Sequence, residues 1–180
     1  SDASRLDSVL SRAKMEQLDL GALLSKFGEI HESNGVNLCV DISADAPMKV
    51  LGSEDQIVQV LINLIANAKS FSPADGIITL RASPSKNSVH LTIDDEGAGI
   101  PIASLERIFE RFYKERPSEE KFGSHSGLGL SISKQIIESH GGQIWAENRL
   151  SENGKILGAR FNVTLPEYKR DTMRRSLTEI

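Results

Sequence analysis

The 180-residue sequence contains one cysteine, Cys39, one tryptophan and 5% aromatic residues. A lone thiol excludes an internal disulfide framework and a thiolate metal cluster, and fits a reducing, cytoplasmic setting. No run approaches the roughly 18 apolar residues of a membrane span, and Ser1-Asp2-Ala3-Ser4-Arg5 lacks a signal-peptide core. Basic excess is missing too: the net charge of -4 supplies no field to track a phosphate backbone, so nucleic acid is not an expected partner. What remains, 39% hydrophobic and 26% charged residues, suffices for one substantial core.

Leu6, Val9, Leu10 and Ala13 recur at helical spacing, predicting an amphipathic helix over 1–15. Its narrow stripe suits a partner helix, although packing back onto its own domain explains it as well. Glu16 to Leu18 read as a connector, and Asp19 as the N-cap of a helix to about Glu32. Alternation over Val36–Ile42 predicts a strand with Cys39 on the outer face. A short strand over 48–51 precedes a long helix, capped by Ser53, running to Lys69. Strands over 77–82 and 89–93 form a hairpin across Ser83-Pro84-Ser85-Lys86-Asn87, and Pro101 opens a short helix carrying Leu105, Ile108 and Phe109. Residues 114–126 read as a surface loop, and a helix from Leu128 to His140 ends on Gly141-Gly142. Strands over 143–147 and 159–165 follow, with a polar, basic tail after Pro166.

Three patches carry chemistry. On the long helix Gln56, Gln59, Asn63 and Asn67 stand three and four apart, a polar seam on an otherwise apolar cylinder. A solvated face would look similar, but such faces favour Glu, Lys and Arg, whereas asparagines weaken a helix. A neutral amide oxygen can hold a Mg²⁺ that also binds phosphates. In the second patch, Asp95-Glu96-Gly97-Ala98-Gly99, strand parity from Val89, Leu91 and Ile93 turns Asp95 inward and Asp94 outward. An inward carboxylate requires a donor, and the exocyclic amine of adenine is one; a plain acidic turn is the simpler alternative. Gly97 and Gly99 leave room for a ligand beside the backbone. The third patch, Gly123-Ser124-His125-Ser126-Gly127-Leu128-Gly129-Leu130, offers N–H groups and the positive end of a helix to an anion. It is neither a Walker A loop nor a dinucleotide fingerprint.

Jointly these residues resemble the catalytic and ATP-binding domain of sensor histidine kinases, within the superfamily of gyrase, Hsp90, histidine-kinase and MutL ATPases. Asn63-Leu64-Ile65-Ala66-Asn67-Ala68 looks like the N box, Asp95-Glu96-Gly97-Ala98-Gly99-Ile100 the G1 box, Ile108-Phe109-Glu110-Arg111-Phe112-Tyr113 the F box, and Gly127-Leu128-Gly129-Leu130-Ser131-Ile132 the G2 box. The resemblance implies an α+β fold, a two-layer sandwich whose mixed, mostly antiparallel sheet is covered by helices (the Bergerat fold), spanning 19–166. Residues 1–18 would then end a dimerisation helix and its linker, leaving 167–180 as the tail. It implies ATP and Mg²⁺ as ligands, with Asn63, Asn67, Asp95, Gly97, Gly99, Ile100, Tyr113, Lys114, Gly127, Leu128, Gly129 and Leu130 around the nucleotide. Asn67 would coordinate Mg²⁺, Asp95 would read adenine, Tyr113 would cover the base and Lys114 would meet the triphosphate. Phe109 and Phe112 are expected in the core.

Two departures stand out. The family's basic residue three positions past the second N-box asparagine is Ser70 here, with Lys69 one step earlier and about 100° around the helix. The phosphoacceptor motif is absent: His31-Glu32 matches its first two letters and Ser33-Asn34-Gly35 follows. The resemblance therefore implies a phosphotransferase domain serving a histidine outside this chain, on dimerisation helices of a homodimeric kinase, for relay to a response-regulator aspartate. Such a kinase is compatible with an inner-membrane anchor upstream. The relatives that hydrolyse ATP carry a glutamate where Asn63 stands, and an amide cannot take a proton from water. A non-catalytic nucleotide sensor is the remaining alternative.

Overall fold

A computed structural model describes residues 13–43, 46–113 and 129–169. The described elements are β1 (Glu16–Asp19), α1 (Leu20–Ser33), β2 (Leu38–Ile42), β3 (Lys49–Gly52), α2 (Glu54–Phe71), β4 (Ile78–Ser85), β5 (Ser88–Asp94), α3 (Gly129–Ser139), β6 (Gln143–Leu150) and β7 (Ile156–Pro166). Two 3₁₀ turns, Ile102–Ser104 and Arg107–Phe109, lie between β5 and α3. The fold is α+β, with a mixed five-stranded sheet in the order β2-β4-β5-β7-β6. Only β2 and β4 pair in parallel; the other neighbours are antiparallel.

Strand parity builds the core. Leu80, Ile93 and Phe161 are register partners across β4, β5 and β7, as are Leu91, Val163 and Ile144 across β5, β7 and β6, and all are buried. Against them the helices place Leu20 and Leu24 from α1, Leu61 and Leu64 from α2, and Ile136 and Ile137 from α3. Burying each such aliphatic side chain contributes about 1.5–3 kcal/mol. The opposite sheet face carries Thr92, His90 and Asn162 half-buried or hydrogen-bonded, and Cys39 exposed as parity predicts.

Local chemistry sets the helix starts. The Asp19 carboxylate accepts from Ala22 N at 3.1 Å and the Ser53 hydroxyl from Gln56 N at 3.4 Å, so both expected caps form. His140 closes α3 against α2. Its Nε2 accepts from Ser53 N at 3.0 Å, so Nδ1 carries the proton and donates to Ile136 O at 2.7 Å.

Several expectations need correction. Glu16 to Leu18 are not a connector but belong to β1, a strand antiparallel to β3, and Leu18 enters the core opposite Val50. Four residues are too few for alternation to announce a strand whose partner is distant. Residues 167–169 continue the pairing: Tyr168 N donates to Lys49 O at 2.7 Å and Glu167 bridges Val50. The short helix after Pro101 is instead the two 3₁₀ turns, with Ser104, Ile108 and Phe109 buried. β4 extends through Pro84 to Ser85, beyond the last β2 pairing at Ala82, so the proline lies past the described β2–β4 ladder. Phe109 meets Phe161 edge-on at 6.1 Å, but Phe112 is 67% exposed with φ +61°, outside the core its apolar ring suggested.

Candidate nucleotide-binding site

Helix α2 connects the three patches. Asn63 and Asn67 are half-buried on it, and the Asn63 Nδ2 donates to Gly129 O at 3.1 Å and to Ser133 Oγ at 3.3 Å, while its Oδ1 accepts from Gln59 at 2.8 Å. The first patch is thereby tied to the beginning of α3. At its other end α2 meets the second patch: the Ser72 hydroxyl accepts from Glu96 N at 3.2 Å, and a Cβ on Gly97 would stand 2.5 Å from Phe71 O. Asn67 lies one turn before this junction.

Asp95 is buried as parity requires, 1% exposed. Its Oδ1 accepts from Gly97 N at 2.9 Å and Ala159 N at 3.0 Å, which fixes the rotation of the carboxylate. Protein packing accounts for the glycines around it even before any ligand is considered: a Cβ on Gly99 would approach the Asn148 amide oxygen to 2.7 Å. Asp94, expected outward, does face outward but is equally buried. It sits on the outer sheet face, but Arg160 binds it through Nε at 2.6 Å and Nη2 at 2.8 Å, Arg81 through Nη1 at 2.9 Å, and Arg149 approaches to 3.3 Å. Hydrogen bonding to Asp94 raises the Arg160 pKa above its usual value despite the opposing effect of burial. Parity reports which sheet face a residue occupies, and here arginines from three strands cover that face.

Ile100 is buried and Leu130 packs against the core. The Tyr113 hydroxyl donates to Ser104 Oγ at 3.2 Å and its ring stacks under the Arg107 guanidinium at 4.7 Å, so the side chain is anchored to the 3₁₀ turns. Lys69 and Ser70 are both exposed. Lys114, Gly127 and Leu128 lie outside the described residues, as does the loop expected over 114–126. No cluster of three or more His, Cys, Asp or Glu side chains suited to a metal exists among the described residues. Sequence reasoning missed Ser72, Asn148 and Arg149, which reach this region from positions carrying no local motif.

Residues 52–169 match the family described as histidine kinase-, DNA gyrase B- and HSP90-like ATPases. The chain belongs to this family. Within this ATPase family it is similar to sensor kinases. It is 44% identical over 176 residues to the sensor protein ChvG of Agrobacterium fabrum, covering 92% of this chain and 30% of ChvG. The catalytic domain of histidine kinase ThkA superposes with a TM-score of 0.70 at 28% identity, over 86% of this chain and 96% of that domain. The fold also matches full-length ShkA in complex with AMPPNP, with a TM-score of 0.73 at 23% identity, over 93% of this chain and 34% of that one. The chain is thus an ATP-binding catalytic domain of the sensor histidine kinase type, and it spans about 30% of the length of the ChvG relatives it matches.

Proposed function

We propose that the domain binds Mg-ATP and transfers the γ-phosphoryl group to a histidine on a dimerisation helix, from which it passes to a response-regulator aspartate. The observation that carries this reading is the identity and bonding of Asn63. An amide, held between Gln59, Gly129 and Ser133, occupies the position where a hydrolytic relative needs a base. Without a carboxylate there, water is not activated, and catalysis is mainly positioning and charge neutralisation. The P–O bond to the β-phosphate breaks as a P–N bond to the imidazole forms, and ADP leaves.

Within this reading Asp95 accepts from the adenine amine. Asn67 holds Mg²⁺ through its amide oxygen, with the phosphates supplying further oxygens. Gly97, Gly99, Ile100, Tyr113, Lys114 and Gly127 to Leu130 enclose the nucleotide. The chain before β1 leads from the dimerisation helix, the catalytic domain runs from β1 through the residues 167–169 that pair with β3, and the remainder is the tail, in a homodimeric kinase whose catalytic domains face the cytoplasm. No described helix is long and apolar enough to cross a membrane.

The test is to mix the chain with γ-labelled ATP, Mg²⁺ and a dimerisation-helix fragment bearing an acceptor histidine. Acid-labile label on the fragment is expected. Multiple-turnover release of free phosphate with an unlabelled fragment would identify a hydrolase, and nucleotide binding with neither product a sensor.

A further inference from the structure

Two successive residues of β6 hold the two ends of loop 95–100. Asn148 takes Ile100 with both halves of its amide: Oδ1 accepts from Ile100 N at 2.7 Å, and Nδ2 donates to Ile100 O at 2.7 Å. Arg149 projects to the other face of the sheet, as alternate strand residues do. There its Nη1 donates to the Asp95 carbonyl oxygen at 2.7 Å, and its Nε stands 3.3 Å from the Asp94 carboxylate. The β6–β7 register shifts between Arg149 and Leu150, and such irregularities re-aim side chains. Opposite Arg149, Gly158 leaves space for the loop: a Cβ there would lie 1.9 Å from the Asp95 carbonyl oxygen.

The consequence falls on the Asp95 carboxylate. Its rotation is fixed by Gly97 N and Ala159 N, so its aim follows the backbone that Asn148 and Arg149 hold. A hydrogen bond weakens steeply once its angle or distance leaves a narrow range, and a ligand-contacting group displaced by about 1 Å loses much of its value. We propose that Asn148 and Arg149 are positioning residues that set adenine specificity by clamping both ends of the loop carrying Asp95. This rests on the assignment of Asp95 to the adenine amine.

The discriminating measurement is the ratio of affinities for ATP and for purine riboside triphosphate, which lacks the 6-amino group. General loss of stability affects both nucleotides alike; a misplaced Asp95 affects only ATP. The intact chain is expected to prefer ATP by at least about tenfold, the value of one hydrogen bond to a charged acceptor. Asp95→Asn should abolish that preference. Asn148→Ala and Arg149→Met should each reduce it about threefold or more, with affinity for the purine analogue within about twofold of the parent. They act at opposite ends of the loop and report independently; Asn148→Ser, which retains a hydroxyl for Ile100, replaces a variant that fails to fold. If Asp95→Asn leaves the ratio unchanged, the adenine assignment falls. If it abolishes the ratio while the Asn148 and Arg149 variants keep the parental one, the positioning role alone is overturned.

Discussion

The Asn63 side chain donates to the carbonyl oxygen of Gly129 at 3.1 Å, joining α2 to the first residue of α3 across 66 positions of sequence. Replacing it separates two kinds of asparagine. Asn63→Ala removes this bond and the one to Ser133, though Ser133 Oγ still donates to Gly129 O at 2.8 Å. The expected cost is about 1 kcal/mol, seen as a lower melting temperature and faster hydrogen exchange in the first turn of α3. Asn67→Ala should instead weaken Mg-ATP binding about tenfold while changing affinity for metal-free ATP much less, read by titration with and without Mg²⁺.

Asp94 is 1% exposed and bound by three arginines whose side chains are 26% to 48% exposed. Asp94→Ala should destabilise the domain by about 2–4 kcal/mol, less than for a fully buried pair because water still reaches the guanidinium groups. The urea midpoint should fall with an unchanged slope. A loss below about 0.5 kcal/mol would mean that the cluster is a solvated surface pair.

Gly158→Ala places a methyl group against the Asp95 carbonyl oxygen, at a residue whose φ is +150°. Backbone must move, so the expected effect is a loss of about 3 kcal/mol or more together with ATP affinity. Gly35→Ala is the contrast. Its φ is +77° with nothing within 4 Å, so strain of about 1 kcal/mol should appear without any change in ATP affinity. Thermal melts with and without ATP distinguish the two.

His140→Ala leaves Ser53 N without its acceptor at the start of α2. A buried orphaned N–H costs about 1–3 kcal/mol. The melting temperature should fall correspondingly, while His140→Gln, whose amide oxygen can replace the Nε2 acceptor, should recover part of the loss.

The helices α1, α2 and α3, their caps at Asp19 and Ser53, and the β4–β5 hairpin are readable from local pattern, because spacing and capping act within a few residues. Strand β1 and the outer-face environment of Asp94 are not. Both depend on groups far along the chain: β3 for the one, and Arg81, Arg149 and Arg160 for the other. Phe112 misleads for a related reason, since an apolar side chain follows its backbone, and φ +61° directs this one away from the core.

Sequence alone determined the family, the order of the boxes and the inward parity of Asp95, since motif spacing and period-two alternation are properties of consecutive residues. Only the tertiary structure decided that Asn63 binds Gly129, that Asp94 is buried under arginines, and that Asn148 and Arg149 hold the Asp95 loop. Those contacts join segments brought together by sheet register and helix packing, and their hydrogen bonds form only where the folded backbone places donor and acceptor within about 3 Å.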